Sequence, residues 1–242
     1  MSTSILTPHA PAAPAASKER RLVDAPIRMF HALFAACFIG AWLSGDSEHW
    51  RLLHVTLGYT AGGLLAFRLI YGLIGPRQAR LGVLARKLAG GWQWLRALGG
   101  GALPAPWRQA QNLLLALAIA LLLALAPLLV LSGWAAYNEW GNAFEELHEF
   151  LGNAMLAVAL GHIGLIALLS LLRRKNLALP MLTGRADGPG AGLVTADRAW
   201  LAALMLLAAL AFGAWMFQPA PANAAPPAQT HSKHHDHHEH RH

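Results

Sequence analysis

The chain has 242 residues, of which 55% are hydrophobic and only 13% charged, with a mean hydropathy of +0.39. Charged residues usually make up about a quarter of a globular protein, and so few cannot cover a water-facing surface, so composition excludes a soluble globular domain. Nineteen Lys and Arg against 12 Asp and Glu give a formal charge of +7, which in a membrane chain is read first as topology and only then as nucleic-acid binding. The single cysteine, Cys37, excludes a disulfide framework and a cysteine-ligated cluster.

Residues 1–22 (MSTSILTPHAPAAPAASKERRL) are Ala/Pro-rich and lack the apolar stretch of a secretory signal, so a disordered cytoplasmic arm is expected there. Five apolar runs follow, each close to or above the ~20 residues that a spanning helix needs. They cover Ile27 to Ser44, Leu52 to Ile74, Asn112 to Trp134, Leu147 to Leu172 and Ala199 to Phe217. The first carries Arg28 and His31, the second His54 and Arg68, and the fourth His148 and His162. Between the second and third runs, residues 75–111 mix arginines with Trp92, Trp94 and Trp107. They read either as an amphipathic interfacial segment or as a linker with aromatic anchors. After the fifth run, residues 218–242 comprise a Pro/Ala linker and the tract HSKHHDHHEHRH, able to bind a divalent metal or to act as a pH-dependent polycation.

Basic residues sort by loop. Lys18, Arg20, Arg21 and Arg28 lie at or before the first span, and Arg77, Arg80, Arg86, Lys87, Arg96 and Arg108 between the second and third. Arg173, Arg174, Lys175, Arg185 and Arg198 lie between the fourth and fifth. The other two connections hold Arg51 together with Asp46, Glu48, Glu139, Glu145 and Glu146. The positive-inside rule therefore expects a cytoplasmic N-terminus and a C-terminus on the outer side.

Ionisable residues inside spans are costly and mark function by default. With alternate spans running in opposite directions, His54 and His148 fall near the outer face and His31 and His162 near the inner one. His148 and His162 are fourteen residues apart, which on a helix returns to the same face about 21 Å further along the axis. Two imidazoles facing each other from neighbouring helices meet the needs of bis-histidine b-type haem, so two haems are expected, held by His31/His162 and His54/His148. Zinc would want a denser ligand set, and a proton relay would want buried acids, of which the spans have none deep inside. Gly58 and Gly152 lie four residues after His54 and His148, and Gly161 and Gly164 flank His162. They would let a macrocycle approach the backbone, or serve ordinary small-residue helix packing, for which Gly58 and Gly62 also qualify. Arg68, in the inner half of its span, needs a negative partner, and a propionate of the inner haem is the expected one.

The strings DAPIRMFHALFAACFIGAWLSGD, LLHVTLGYTAGGLLAFRLIYGLIGPRQARL and EELHEFLGNAMLAVALGHIGLIALLSLLRRKNLALPMLTGR resemble the bacterial cytochrome b561 family, which includes the b-type cytochrome subunits of Ni/Fe-hydrogenases. The resemblance implies an all-α membrane bundle in which four helices, residues 23–185, bind two b haems through His31, His54, His148 and His162. It implies electron transfer between a quinone pool and a redox partner: a hydrogenase-like subunit, a periplasmic c-type cytochrome or, in one branch, superoxide. The fifth helix, with its linker over residues 186–217, and the histidine-rich tail depart from the shortest members. The fifth helix could brace the bundle, mediate a homodimer or export the tail. A divalent-metal permease or sensor is the competing class, and the lack of buried carboxylates argues against it. Superoxide as donor is disfavoured by the acidic outer connections, which suit a neutral or cationic partner better.

Overall fold

The structure, a computed structural model, describes residues 20–99, 107–186, 192–194 and 196–219. The histidine-rich tail and most of the N-terminal arm lie outside these residues. Helix α1 covers Ala25–Ser44, with Pro26 in its first turn, where the fixed φ suits a helix start. A 3₁₀ turn at Glu48–Trp50 leads into α2, Arg51–Ile74, which stops at Gly75–Pro76. Helix α3 is Leu81–Gly99, α4 is Trp107–Tyr137, α5 is Asn142–Arg173, α6 is Leu179–Thr183 and α7 is Ala199–Met216. Two short strands, β1 (Arg20–Arg21) and β2 (Arg185–Ala186), pair antiparallel.

Five of these helices, α1, α2, α4, α5 and α7, are long and apolar enough to cross a membrane. The chain is a multi-pass membrane protein. Helices α4 and α5 have 31 and 32 residues, which at 1.5 Å per residue exceeds a ~30 Å hydrocarbon core by several turns. Hydropathy marks only their apolar stretches. The helices run on into Trp107–Gln111, where Arg173 donates to the buried Gln111 Oε1 at 2.8 Å, and into the exposed polar turn at Asn142–Glu146. The segment between α2 and α4 contains a 19-residue helix, α3, packed on α4, with Leu113 seated over Gly91.

The bundle is a chain of pairwise packings: α7 on α1 and α2, α1 on α2, α2 on α4 and α4 on α5. Close approach uses small residues, as expected where lipid gives helices no hydrophobic reason to associate. Leu57 packs over Gly40, and Val130 lies 3.0 Å from where a Gly62 Cβ would be. Two apolar clusters form the core. One joins Phe30, Cys37, Ala61 and Leu64 to Met205 of α7, and the other joins Leu65, Ala126 and Met155, flanked by Phe34 and Phe38. Exposed leucines, including Leu121, Leu128, Leu160, Leu207 and Leu210, face outward where lipid covers them.

Candidate haem sites

At the end of the bundle that carries the acidic connections, His54 of α2 and His148 of α5 face each other across the interior. Their ring centroids are 5.9 Å apart and their planes nearly perpendicular, at 85°. His54 Nδ1 donates to the Ala41 carbonyl at 2.8 Å, and His148 Nδ1 to the Leu129 carbonyl at 3.0 Å, with the Ser132 hydroxyl beside it at 3.3 Å. A carbonyl only accepts, so each Nδ1 carries the proton and each Nε2 keeps its lone pair. Ala41 supplies its carbonyl because it falls in the last turn of α1, where backbone oxygens lack a backbone partner; the Ser44 hydroxyl also donates to it, at 3.2 Å. Two oriented, neutral imidazoles of this kind are a donor set for one metal, each steadied by its second nitrogen.

The spacing fits an iron between them. Two metal–imidazole bonds of about 2 Å, with the ring radii added, separate ring centres by about 6 Å. The rings border a cavity of about 480 Å³, within the ~300–1,000 Å³ of cofactor sites. Gly58 and Gly152 line it, and neither works as a tight packing residue: nothing lies within 4 Å of a Cβ at Gly58, and only Leu129 comes as near as 3.9 Å at Gly152. Tight packing falls instead to Gly62. The mouth of the cavity is acidic and aromatic, with Asp46, Glu145, Glu149, Trp42, Tyr59 and Tyr137.

At the opposite, basic end lie His31 of α1 and His162 of α5. Among the described residues His162 Nδ1 is buried with no hydrogen-bond partner, so no carbonyl fixes this ring as carbonyls fix His54 and His148. Helices α1 and α5 are not among the closely packed pairs, and no side chain stands within 4 Å of a Cβ at Gly161 or Gly164. Arg68 is half-buried, and its Nη1 donates to the Ala79 carbonyl in the 3₁₀ turn after α2 at 3.2 Å. Asp24 acts on it electrostatically. Between the two ends, Phe34, Phe38, Leu65 and Met155 form an apolar layer. Met155 lies seven residues from each histidine of its helix.

Several contributors were silent in the sequence. Gly133 leaves room for the His148 ring: a Cβ there would stand 2.6 Å from its Cε1. Its small size was visible, but nothing local to α4 reveals which histidine crosses over it. Asp24, 1% exposed, precedes the first span and escaped a search for acids inside spans. It accepts a 2.5 Å hydrogen bond from Tyr71 and faces Arg198 at 3.9 Å, tying the ends of α1 and α2 to the start of α7.

Among curated proteins and among solved structures, comparison found no match to this sequence. The family of prokaryotic cytochrome b561 matches residues 22–184, two thirds of the chain and all three helices that carry the four histidines. The chain therefore belongs to the prokaryotic cytochrome b561 family, helical membrane proteins that carry electrons across the membrane through b-type haem.

Proposed function

We propose that this protein holds two b haems, one ligated by His54 and His148 and one by His31 and His162, and passes electrons between the quinone pool and a redox partner outside the membrane. The observation that carries this reading is the 5.9 Å approach of His54 and His148, their planes nearly perpendicular and both with Nδ1 committed to a carbonyl, beside the cavity. Bound between two histidines, haem iron is coordinatively saturated and supplies one-electron, outer-sphere redox chemistry.

The protein's own residues do the rest. Ala41 and Leu129 fix the outer imidazoles in the ligating tautomer, and the glycines keep side chains away from the macrocycle. Arg68 has guanidinium hydrogens beyond the one on Ala79 to offer a propionate at the inner site. The apolar layer around Met155 excludes water between the sites while keeping them within electron-hopping reach. Acidic residues at the cavity mouth favour a cationic partner such as a basic c-type cytochrome, with a hydrogenase-like subunit as the other candidate. Superoxide, an anion, suits that rim less well.

By the distribution of arginines, the basic end and N-terminus are cytoplasmic and the acidic end periplasmic, in a bacterial inner membrane. The domain unit is residues 23–185, with residues 186–217 adding the fifth helix and 218–242 the tail, a possible divalent-metal binder. The test is a reduced-minus-oxidised spectrum with a pyridine haemochrome count on the purified chain. Two haems per chain with an α band near 560 nm, the usual region for b haems, are expected. A single haem per chain would remove one histidine pair from the scheme, and a protein without haem would remove both.

A further inference from the structure

The two outer histidines rest on one repeated sequence pattern. Residues 41–45 read Ala-Trp-Leu-Ser-Gly and residues 129–133 read Leu-Val-Leu-Ser-Gly. The first residue of each stretch is the one whose carbonyl takes an imidazole N–H, Ala41 from His54 at 2.8 Å and Leu129 from His148 at 3.0 Å. The last is a glycine beside the same ring. A Cβ at Gly45 would stand 3.6 Å from His54 Cε1 and Nδ1, and one at Gly133 would stand 2.6 Å from His148 Cε1. One stretch closes α1 and the other lies inside α4, so a helix end is not what produces the pattern.

Between carbonyl and glycine stands a serine. Ser44 and Ser132 are each only 4% exposed. A buried hydroxyl on a helix turns back to the carbonyls of the preceding turn. Ser44 donates to Gly40 at 2.7 Å and reaches the Ala41 carbonyl at 3.2 Å. Ser132 donates to the Leu129 carbonyl at 3.0 Å, with its oxygen 3.3 Å from His148 Nδ1. Each hydroxyl therefore lands on the carbonyl that already holds an imidazole. The device belongs to the outer pair: among the described residues His162 Nδ1 is buried without a hydrogen-bond partner.

Donors that share one carbonyl oxygen compete for its lone-pair density, so the hydroxyl weakens the imidazole N–H bond beside it. An imidazole whose Nδ1–H is held firmly is a more basic ligand through Nε2. A more basic ligand favours the oxidised state of the metal it binds, and hydrogen bonding around the ligands is one of the levers that set a haem potential. The serines thus moderate the hold of Ala41 and Leu129 on the rings, and each raises the potential of the site relative to a carbonyl acting alone.

We propose, resting on the reading of His54 and His148 as haem ligands, that Ser44 and Ser132 are positioning residues that set the potential of the outer haem by sharing the Ala41 and Leu129 carbonyls with its two histidines. The test is an optical redox titration of the full chain and of S44A, S132A and the double variant, each with a haemochrome count. Two haems per chain are expected throughout. The outer potential, identified as the one that His31→Ala retains, is expected to fall in each single variant. A change worth about half of one neutral hydrogen bond is roughly threefold in the ratio of reduced to oxidised haem, or ~30 mV for one electron. The double variant is expected to show about twice that shift, and the inner potential to stay where it is.

Two conservative replacements separate the hydroxyl from its volume. Ser132→Thr keeps a hydroxyl able to reach the same carbonyl and is expected to keep the wild-type potential. Ser132→Cys keeps the volume with a weaker donor and is expected to shift as alanine does. Two haems with an unmoved or raised outer potential in both alanine variants overturns the proposal and leaves the ligation scheme intact. Loss of the outer haem from both alanine variants would make the hydroxyls supports for binding and would overturn it as well. Absence of haem from the wild-type chain would instead remove the two-haem reading itself.

Discussion

Replacing Gly133 by alanine puts a methyl group where the His148 ring now lies. A Cβ at that position would be 2.6 Å from His148 Cε1 and 2.9 Å from Nδ1, against 3.4 Å or more for ordinary contact. One of the two must yield by about 0.8 Å. The ring is poorly placed to do so, because Nδ1 is committed to Leu129 and Ser132 stands beside it. Metal–ligand distances tolerate only about ±0.2 Å, so a displacement four times larger detaches the imidazole from an iron or forces it off axis. G133A is therefore expected to lower haem content from two per chain towards one, with the remaining haem retaining a bis-histidine spectrum. Gly62→Ala is the control. Its Cβ would meet Val130 Cγ1 at 3.0 Å, so it disturbs helix packing without touching a histidine. Haemochrome counts on the two purified variants give the comparison. If G133A keeps two haems with an unshifted α band and midpoint potential, His148 is not held against Gly133 in a ligating pose, and the outer site is misassigned.

Other variants probe the remaining residues. His54→Ala and His31→Ala are each expected to leave one haem per chain, with different midpoint potentials for the two survivors, and full haem content in both would sink the pairing. Arg68→Met is expected to lower the potential of one haem by roughly 60 mV if the lost charge is worth about 1.4 kcal/mol, the one-electron equivalent of a tenfold shift. An unchanged redox titration would restrict Arg68 to its contact with Ala79. Tyr71→Phe leaves the buried Asp24 carboxylate without its hydroxyl donor and is expected to cost about 1–3 kcal/mol. Thermal unfolding checks this, and an unaltered Tm would mean that Arg198 alone satisfies Asp24.

The five spans and the shared level of His54 and His148 were legible because each depends on local periodicity. Apolar run length finds a span whatever it packs on, and fourteen residues along one helix fix a direction and a depth. His54 and His148 accordingly emerge at one level, as their spacing from the span ends required. The partners of those histidines were not legible. Ala41 and Leu129 act through backbone oxygens, which every residue has, and Gly133 acts by lacking a side chain. Asp24, Tyr71 and Arg198 are far apart in sequence, and three helix ends must meet before their charges acquire a purpose. Helix α3 was ambiguous for another reason: interleaved arginine and tryptophan suit both an interfacial helix and a linker, and only the fold shows residues 81–99 helical and packed on α4.

The apolar layer around Phe34, Phe38, Leu65 and Met155 also bears on energy conversion. From residue 32 to 40 in α1, 55 to 67 in α2, 114 to 130 in α4 and 150 to 161 in α5 there is no Asp, Glu, Lys, Arg or His. No carboxylate, imidazole or amine in that stretch can take up a proton as an electron passes. On the two-site reading, each electron moving from one histidine pair to the other therefore crosses alone, and its charge is not neutralised on the way. Such a crossing works against or with the membrane potential, at up to about 2.3 kcal/mol per 100 mV for a full traverse. Turnover in sealed vesicles should consequently depend on voltage, and the direction of that dependence would report which way the current runs.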